Sequence, residues 1–80
     1  MKNLKGIDTM KITRSMTNLT EGTTIQNIKN EGYYILTSDY DDFHGCYNAK
    51  WINYDEDGEE IIIEEDVTLT PSDLIGNEIV

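Results

Sequence analysis

One acidic segment has the spacing with which a calcium-binding loop begins, namely Asp55-x-Asp57-Gly58. An EF-hand loop also needs glycine at its sixth position and a bidentate glutamate at its twelfth. This chain has Glu60 and Asp66 at those positions. The same four residues fit a β-hairpin turn, because glycine readily adopts the positive φ that such turns require. We therefore predict a hairpin turn at 55–58 and no calcium site.

A second group of reactive side chains precedes the only cysteine of the chain. His44 and Cys46 are two residues apart, and a Cys–His pair can act as an activated nucleophile. Such a pair also needs an orienting group and an oxyanion donor, and the sequence indicates neither. One histidine and one cysteine are too few for a structural zinc site within a single chain. We predict no catalytic residue, no metal site and no cofactor, and we expect the protein not to be an enzyme.

The strongest chemical signal is negative charge. Sixteen acidic residues oppose six basic ones among 80 residues, which gives a net charge of −10. Residues 39–80 contain thirteen of the acids against Lys50 alone. Direct binding to nucleic acid or to an anionic membrane is therefore excluded, because phosphate recognition needs lysine and arginine. The run Ile61-Ile62-Ile63 lies inside the acidic block and predicts that the block belongs to the folded body.

Seven aromatic residues lie between positions 33 and 54, more than a small core can bury. Four of them are expected to be exposed: Tyr34, Tyr40, Phe43 and Tyr54. Two interpretations stay open, since tyrosines pack across strands on an outer sheet face and are also enriched in protein interfaces. Their position among carboxylates favours an interface. The predicted partner-binding residues are Asp39, Tyr40, Asp41, Asp42, Phe43, Tyr54, Asp55, Glu56, Asp57, Glu59, Glu60, Glu64 and Asp66.

The elements that must position these residues are mostly short strands, because Thr, Ile, Tyr and Asn dominate and helical periodicity is absent. A flexible lead-in is predicted over 1–10, followed by a single small β domain over 11–80. Thr70 and Pro71 predict a cap and first position for a short helical turn at 71–75. The predicted strands cover 11–16, 23–28, 33–37, 46–54 and 59–69, with a last edge strand at 78–80.

Alternation along the two longest strands predicts which side chains form the core. Tyr47, Ala49 and Trp51 fall on one face of the predicted strand at 46–54. On the next strand the same rule predicts a buried set, which consists of Ile61, Ile63, Val67 and Leu69. The opposite face would then carry Glu60, Ile62, Glu64, Asp66 and Thr68.

A lone sheet of this size must bend or close to protect its edges, so the fold class is mainly β, a strongly bent antiparallel sheet or a barrel. The element order over residues 18–80 resembles SH3-like barrels. The resemblance rests on Leu19-x-x-Gly22 before the first of its strands and on Glu65-Asp66-Val67 before the helical turn. An SH3-like barrel is a fold that implies no function by itself.

In size, charge and composition the chain is similar to small phage-encoded anti-defence proteins, including anti-CRISPR proteins and DNA mimics. That similarity implies an inhibitor that blocks the basic nucleic-acid-binding channel of a protein such as a defence nuclease, in the cytoplasm of the host cell. The alternative is an SH3-like ligand-binding or assembly module, either a small-molecule sponge or a subunit of a larger complex. In that case the acidity would serve solubility alone.

Overall fold

The structure is a computed structural model, and it describes residues 10–80. Apart from Met10, the predicted lead-in lies outside the described residues. The described part is mainly β, as predicted, with a single short 3-10 helix over Pro71–Leu74. The six strands are β1 Met10–Lys11, β2 Thr24–Gln26, β3 Tyr33–Leu36, β4 Tyr47–Tyr54, β5 Glu60–Leu69 and β6 Glu78–Ile79.

All six strands belong to one antiparallel sheet, in the order β1-β6-β2-β3-β4-β5. Strands β2 to β5 form a meander, and β6 returns to pair with both β2 and β1. The C-terminal strand was predicted at an edge, and this prediction is wrong because β6 lies between two neighbours. Within residues 10–80, β1 and β5 end the sheet without pairing to each other, so the sheet is open and the barrel alternative is not formed.

The main core lies on one face of this sheet. Strand residues such as Ile25, Leu36 and Tyr47 are almost fully buried there. Ile12 and Leu19 cover them from the irregular segment that follows β1. That segment was predicted as a strand over 11–16, but the strand ends at Lys11. Beyond Lys11 the chain leaves the sheet edge and covers the core.

The 3-10 helix supplies the rest of the cover. The Thr70 side chain accepts a hydrogen bond from the backbone N–H of Asp73, whose carboxylate accepts one from the N–H of Thr70. This capping box satisfies two donors that a helix start leaves unpaired. It holds the turn so that Leu74, which is 1% exposed, packs into the core.

Two bulges in β5 overturn the predicted face assignment of that strand. Ala49 pairs with Val67 and Trp51 pairs with Glu64, so two residues of β5 lie opposite Lys50 alone. Ile52 then pairs with Ile62, which leaves Ile63 without a partner. Each extra residue shifts the alternation by one position.

As a result, Glu64 shares the face of Trp51 and of the core, whereas Ile62 shares the opposite face with Ile52. The prediction that Glu64 lies opposite the Val67 face is therefore wrong. The core prediction for Ile61 and Ile63 is also wrong, since both are nearly half exposed. Val67 and Leu69 do pack against or within the core, as predicted.

The phenol of Tyr47 binds the irregular segment that follows β1 to the sheet. Its hydroxyl donates to the Met16 carbonyl at 2.6 Å and accepts from the Leu19 N–H at 3.3 Å. Removing it in Tyr47→Phe leaves both backbone groups without that partner, so we expect the free energy of unfolding to fall by about 1–3 kcal/mol. Chemical denaturation at pH 7 measures this loss, and an unchanged midpoint would contradict it.

The same tyrosine makes the folded protein less stable at alkaline pH. Burial raises the pKa of Tyr47 above its ordinary value of 10.0, because the charged phenolate is poorly solvated in the core. The folded state therefore favours the neutral phenol. The stability that the neutral Tyr47 side chain contributes is complete below pH 10, and it is lost as the pH rises through the folded-state pKa. Melting temperatures between pH 8 and 11 should fall less steeply in Tyr47→Phe than in the original protein.

Candidate protein-binding edge

Eight carboxylates follow one another along the hairpin turn and the outer strand. We call them the acidic edge, and they are Asp55, Glu56, Asp57, Glu59, Glu60, Glu64, Glu65 and Asp66. All eight residues are exposed. The carboxylates on β5 run from Glu60 to Asp66, so this part of the edge extends over roughly 20 Å.

The turn at the tip of this edge is ordered by its own first residue. One oxygen of Asp55 (Oδ1) accepts hydrogen bonds from the backbone N–H groups of Asp57 and Glu59, each at 2.9 Å. Gly58 has a φ of +81°, which allows the chain to reverse direction there. The hairpin prediction at 55–58 is confirmed. Asp55 thus has a structural role in addition to its charge.

Very little positive charge from residues 10–80 lies near these carboxylates. Within residues 10–80, Glu60 is the only acidic residue that pairs with a lysine or arginine, at 3.1 Å from Lys50 Nζ. Such an exposed pair contributes little, about 0–1 kcal/mol. Lys11 lies on β1, at the opposite end of the sheet. The sheet therefore has an acidic edge whose charge is largely uncompensated.

The acidic edge also carries exposed apolar side chains. Tyr54, Ile61, Ile62 and Ile63 are each 45–47% exposed. Ile62 and Ile63 lie on the outer strand, at the open edge of the sheet. Tyr54 and Ile61 lie where the hairpin continues as two strands beyond Tyr33, the first residue of β3. A two-stranded ribbon leaves both of its faces uncovered.

A second acidic group lies at the other end of β4, in the loop before Cys46. Asp41 Oδ1 accepts from the N–H groups of Phe43 and His44, and its Oδ2 lies 2.6 Å from His44 Nδ1. The hydrogen bond with the His44 side chain holds the pKa of Asp41 below its usual value. This tight turn presents Phe43, which is 89% exposed and contacts only the edge of the His44 ring among aromatic neighbours.

Two of the tyrosines predicted to be exposed are instead half-buried. Tyr40 packs against the core with its ring 5.3 Å from that of Tyr47. Tyr34 also packs against the core, and its hydroxyl accepts a hydrogen bond from Asn27. Burial raises the pKa of Tyr34, with Asp73 and Glu64 adding to the effect. The exposure predicted for Phe43 and Tyr54 is confirmed.

The structure does not gather the predicted residues into a single cluster. Tyr54 and the acidic edge from Asp55 to Glu60 occupy the hairpin tip. Asp41 lies near the far end of β5, where it lines one depression together with Thr68, and Asp42 and Phe43 follow it in the same loop. Glu64 and Asp66 lie between the two ends. Asp39 belongs to neither group, because its carboxylate accepts from the N–H of Glu21. The common feature is alignment along the β4–β5 hairpin.

The surface has two open depressions large enough to be candidate ligand sites. One, of about 210 Å³, lies beside Asn27, Tyr34 and Asn77, and these polar side chains already hydrogen-bond to one another or to neighbouring backbone. The other lies between Asp41 and Thr68. In the described part of the chain, no three His, Cys, Asp or Glu side chains converge as metal ligands would.

Comparison with known proteins gave no match to a protein family, to a curated protein or to a solved structure. Among residues 10–80 there is no helix with the length and apolar character needed to cross a membrane.

Sequence reasoning missed the exposed isoleucines as candidate contact residues. A signal for them was present, because three consecutive apolar residues in a strand cannot all face one side of a sheet. The flanking glutamates gave a second signal, since they place both faces of this segment near charge.

Proposed function

We propose that this protein is a non-enzymatic inhibitor that binds the basic nucleic-acid-binding surface of another protein through its acidic edge. Carboxylates would take the place of phosphates, and the neighbouring apolar and aromatic side chains would take the place of bases. The observation that supports this most is the run of exposed carboxylates along the hairpin turn and the outer strand, where Lys50 is the only lysine or arginine of residues 10–80 that pairs with one of them. The proposal includes a cytoplasmic location, in the host cell if a phage encodes the chain.

Rigid placement of the charges favours this function over solubility alone. A terminal strand and a hydrogen-bonded turn hold these carboxylates at fixed spacings, and fixed charges create a patterned field that steers a basic partner. The alternative of an SH3-like ligand-binding or assembly module finds less support. Asn27 and Tyr34, which line the depression, already hydrogen-bond to each other, and Asn27 also binds the backbone N–H of Lys29.

The test is competition with nucleic acid. A basic nucleic-acid-binding protein captured from host extract on the immobilised chain would be purified and loaded with a labelled oligonucleotide. We expect this protein to displace the oligonucleotide. The triple variant Asp57→Asn, Glu60→Gln, Glu64→Gln should bind at least tenfold more weakly at physiological salt. Asp55 is left unchanged because it holds the turn.

A charge-matched control separates the local edge from overall charge. Adding Lys11→Gln, Arg14→Gln and Lys29→Gln to the triple variant restores the net charge to that of the original protein, and all three cations are exposed. We expect affinity to remain low in this control. Recovery of affinity would show that net charge alone drives binding, and failure to displace the oligonucleotide would refute the inhibitor function.

A further inference from the structure

The outer side of β5 near the hairpin tip has backbone groups with no partner in the described sheet. The N–H of Asp55 donates to the carbonyl of Glu59 at 3.0 Å, which makes them a hydrogen-bonded pair. Antiparallel pairs alternate, so the next hydrogen-bonded pair is Asn53 with Ile61. Glu60 and Ile62 therefore direct their N–H and C=O groups away from β4.

This segment is a regular part of the edge. The bulges of β5 begin beyond Ile62 and involve Ile63, Glu65 and Asp66. Bulges and charged side chains commonly keep an edge strand from pairing without control. Here the bulges lie beyond Glu60–Ile62 and leave that segment free to pair. The negative charge near it repels only acidic partners.

We propose that the edge at Glu60–Ile62 accepts a strand from a basic partner protein, in which lysine or arginine alternates with apolar residues. The added strand would hydrogen-bond to Glu60 and Ile62. Because its side chains alternate, it would place apolar residues beside Ile61 on one face of the sheet and cations beside Glu60 on the other. This is strand addition, in which backbone bonds give affinity and side chains give specificity. The proposal rests on the proposed function for the basic character of the partner.

Charge decides between this occupant and a second copy of the chain. Antiparallel pairing of two β5 edges centred on Ile62 would bring Glu60 of one copy next to the bulged acidic segment 64–66 of the other copy. It would also bring together two chains that each carry a net charge of −10. Like charges directly opposite each other destabilise strand pairs. A basic strand meets the same edge with attraction at each of these positions.

The test uses a capped peptide of alternating lysine and valine, six residues long, followed by amide hydrogen exchange and titration. In the free protein we expect fast exchange at Ile62 and slow exchange at Ile61. The peptide should slow exchange at Glu60 and Ile62. The fully N-methylated form of the same peptide keeps the charges and side chains but has no N–H groups, and we expect it to bind at least tenfold more weakly.

A matched pair of variants tests the backbone contact from the other side. Ile62→Pro removes the outward N–H, and proline is tolerated on an edge strand at such a position. Ile62→Val retains that N–H, and the valine side chain has as many carbons as that of proline. We expect affinity for the peptide to fall at least tenfold in Ile62→Pro and to stay within twofold in Ile62→Val, with folding of both checked by thermal unfolding.

Three results would overturn the proposal. These are equal binding by the two Ile62 variants, equal binding of the methylated peptide, or a concentration-dependent dimer that protects Glu60 and Ile62 without peptide. Should Ile62→Pro fail to fold, the exchange pattern and the methylated peptide still decide. If strand addition holds while nucleic acid is not displaced from a captured partner, only the inhibitor function fails.

Discussion

Replacing Gly32 with alanine should destabilise the protein by at least about 2 kcal/mol. Gly32 has a φ of +98°, where a residue with a Cβ is strained by roughly 1–3 kcal/mol. An added Cβ would also collide with the carbonyl oxygen of Ile52 on the adjacent strand. Backbone atoms cannot rotate away as side chains can, so β3 and β4 would have to separate locally. Chemical denaturation of Gly32→Ala measures the loss.

Gly22→Ala is the matched control for this substitution. Gly22 has a similar φ of +93°, but a Cβ there would meet no atom within 4 Å. Its loss therefore reports the backbone strain alone, and the difference between the two variants reports the collision with Ile52. Equal losses in both variants would show that the close approach of the turn to β4 does not exist in solution.

Replacing Ile52 with alanine should cost about 2–5 kcal/mol. Ile52 is 0% exposed, yet it lies outside the main core cluster, on the opposite face of the sheet. Its cross-strand neighbours on that face are Tyr33 and Ile62. The ring of Tyr33 also packs edge-on against Tyr54 at 5.7 Å. The thermal midpoint of Ile52→Ala would reveal this small second core.

Ile62→Ala serves as the comparison, because the same side chain is removed from a site that is 46% exposed. We expect it to lose less than half as much stability as Ile52→Ala. Equal losses would mean that Ile62 is buried in solution or that Ile52 is not.

For Trp51→Ala, the sequence predicts a loss of about 3–5 kcal/mol, the value for a ring in the core. We expect a smaller loss than this, because Trp51 is half-buried and lies outside the main cluster.

The sequence predicted local features well where a few adjacent residues determine them. The turn at Asp55–Gly58 and the cap at Thr70 formed as predicted, because their hydrogen bonds lie within a few residues. Strand β4 was predicted to within one residue at its start, and its alternation correctly buried Tyr47 and Ala49.

Features that depend on distant partners could not be predicted in this way. The bulges in β5 exist only in relation to β4, and one of them leaves Ile63 without a cross-strand partner. Ile61 is exposed because the hairpin extends beyond the start of β3. The interior place of β6 depends on β1 and β2, and both are short strands with weak local signals. For the candidate site, the sequence predicted every member of the acidic edge except Glu65, but their alignment along one edge needed the topology.

The interior position of β6 also determines the order in which the sheet can form. Each strand of the meander pairs with the next one along the chain, whereas Ile79 of β6 must find Ile25, roughly 50 residues away. Closing so long a loop before its contacts form is slow. The meander can therefore assemble first, with β2 presenting an open edge until β6 arrives. During that interval, repulsion between strongly negative chains opposes aggregation, and added salt weakens this protection.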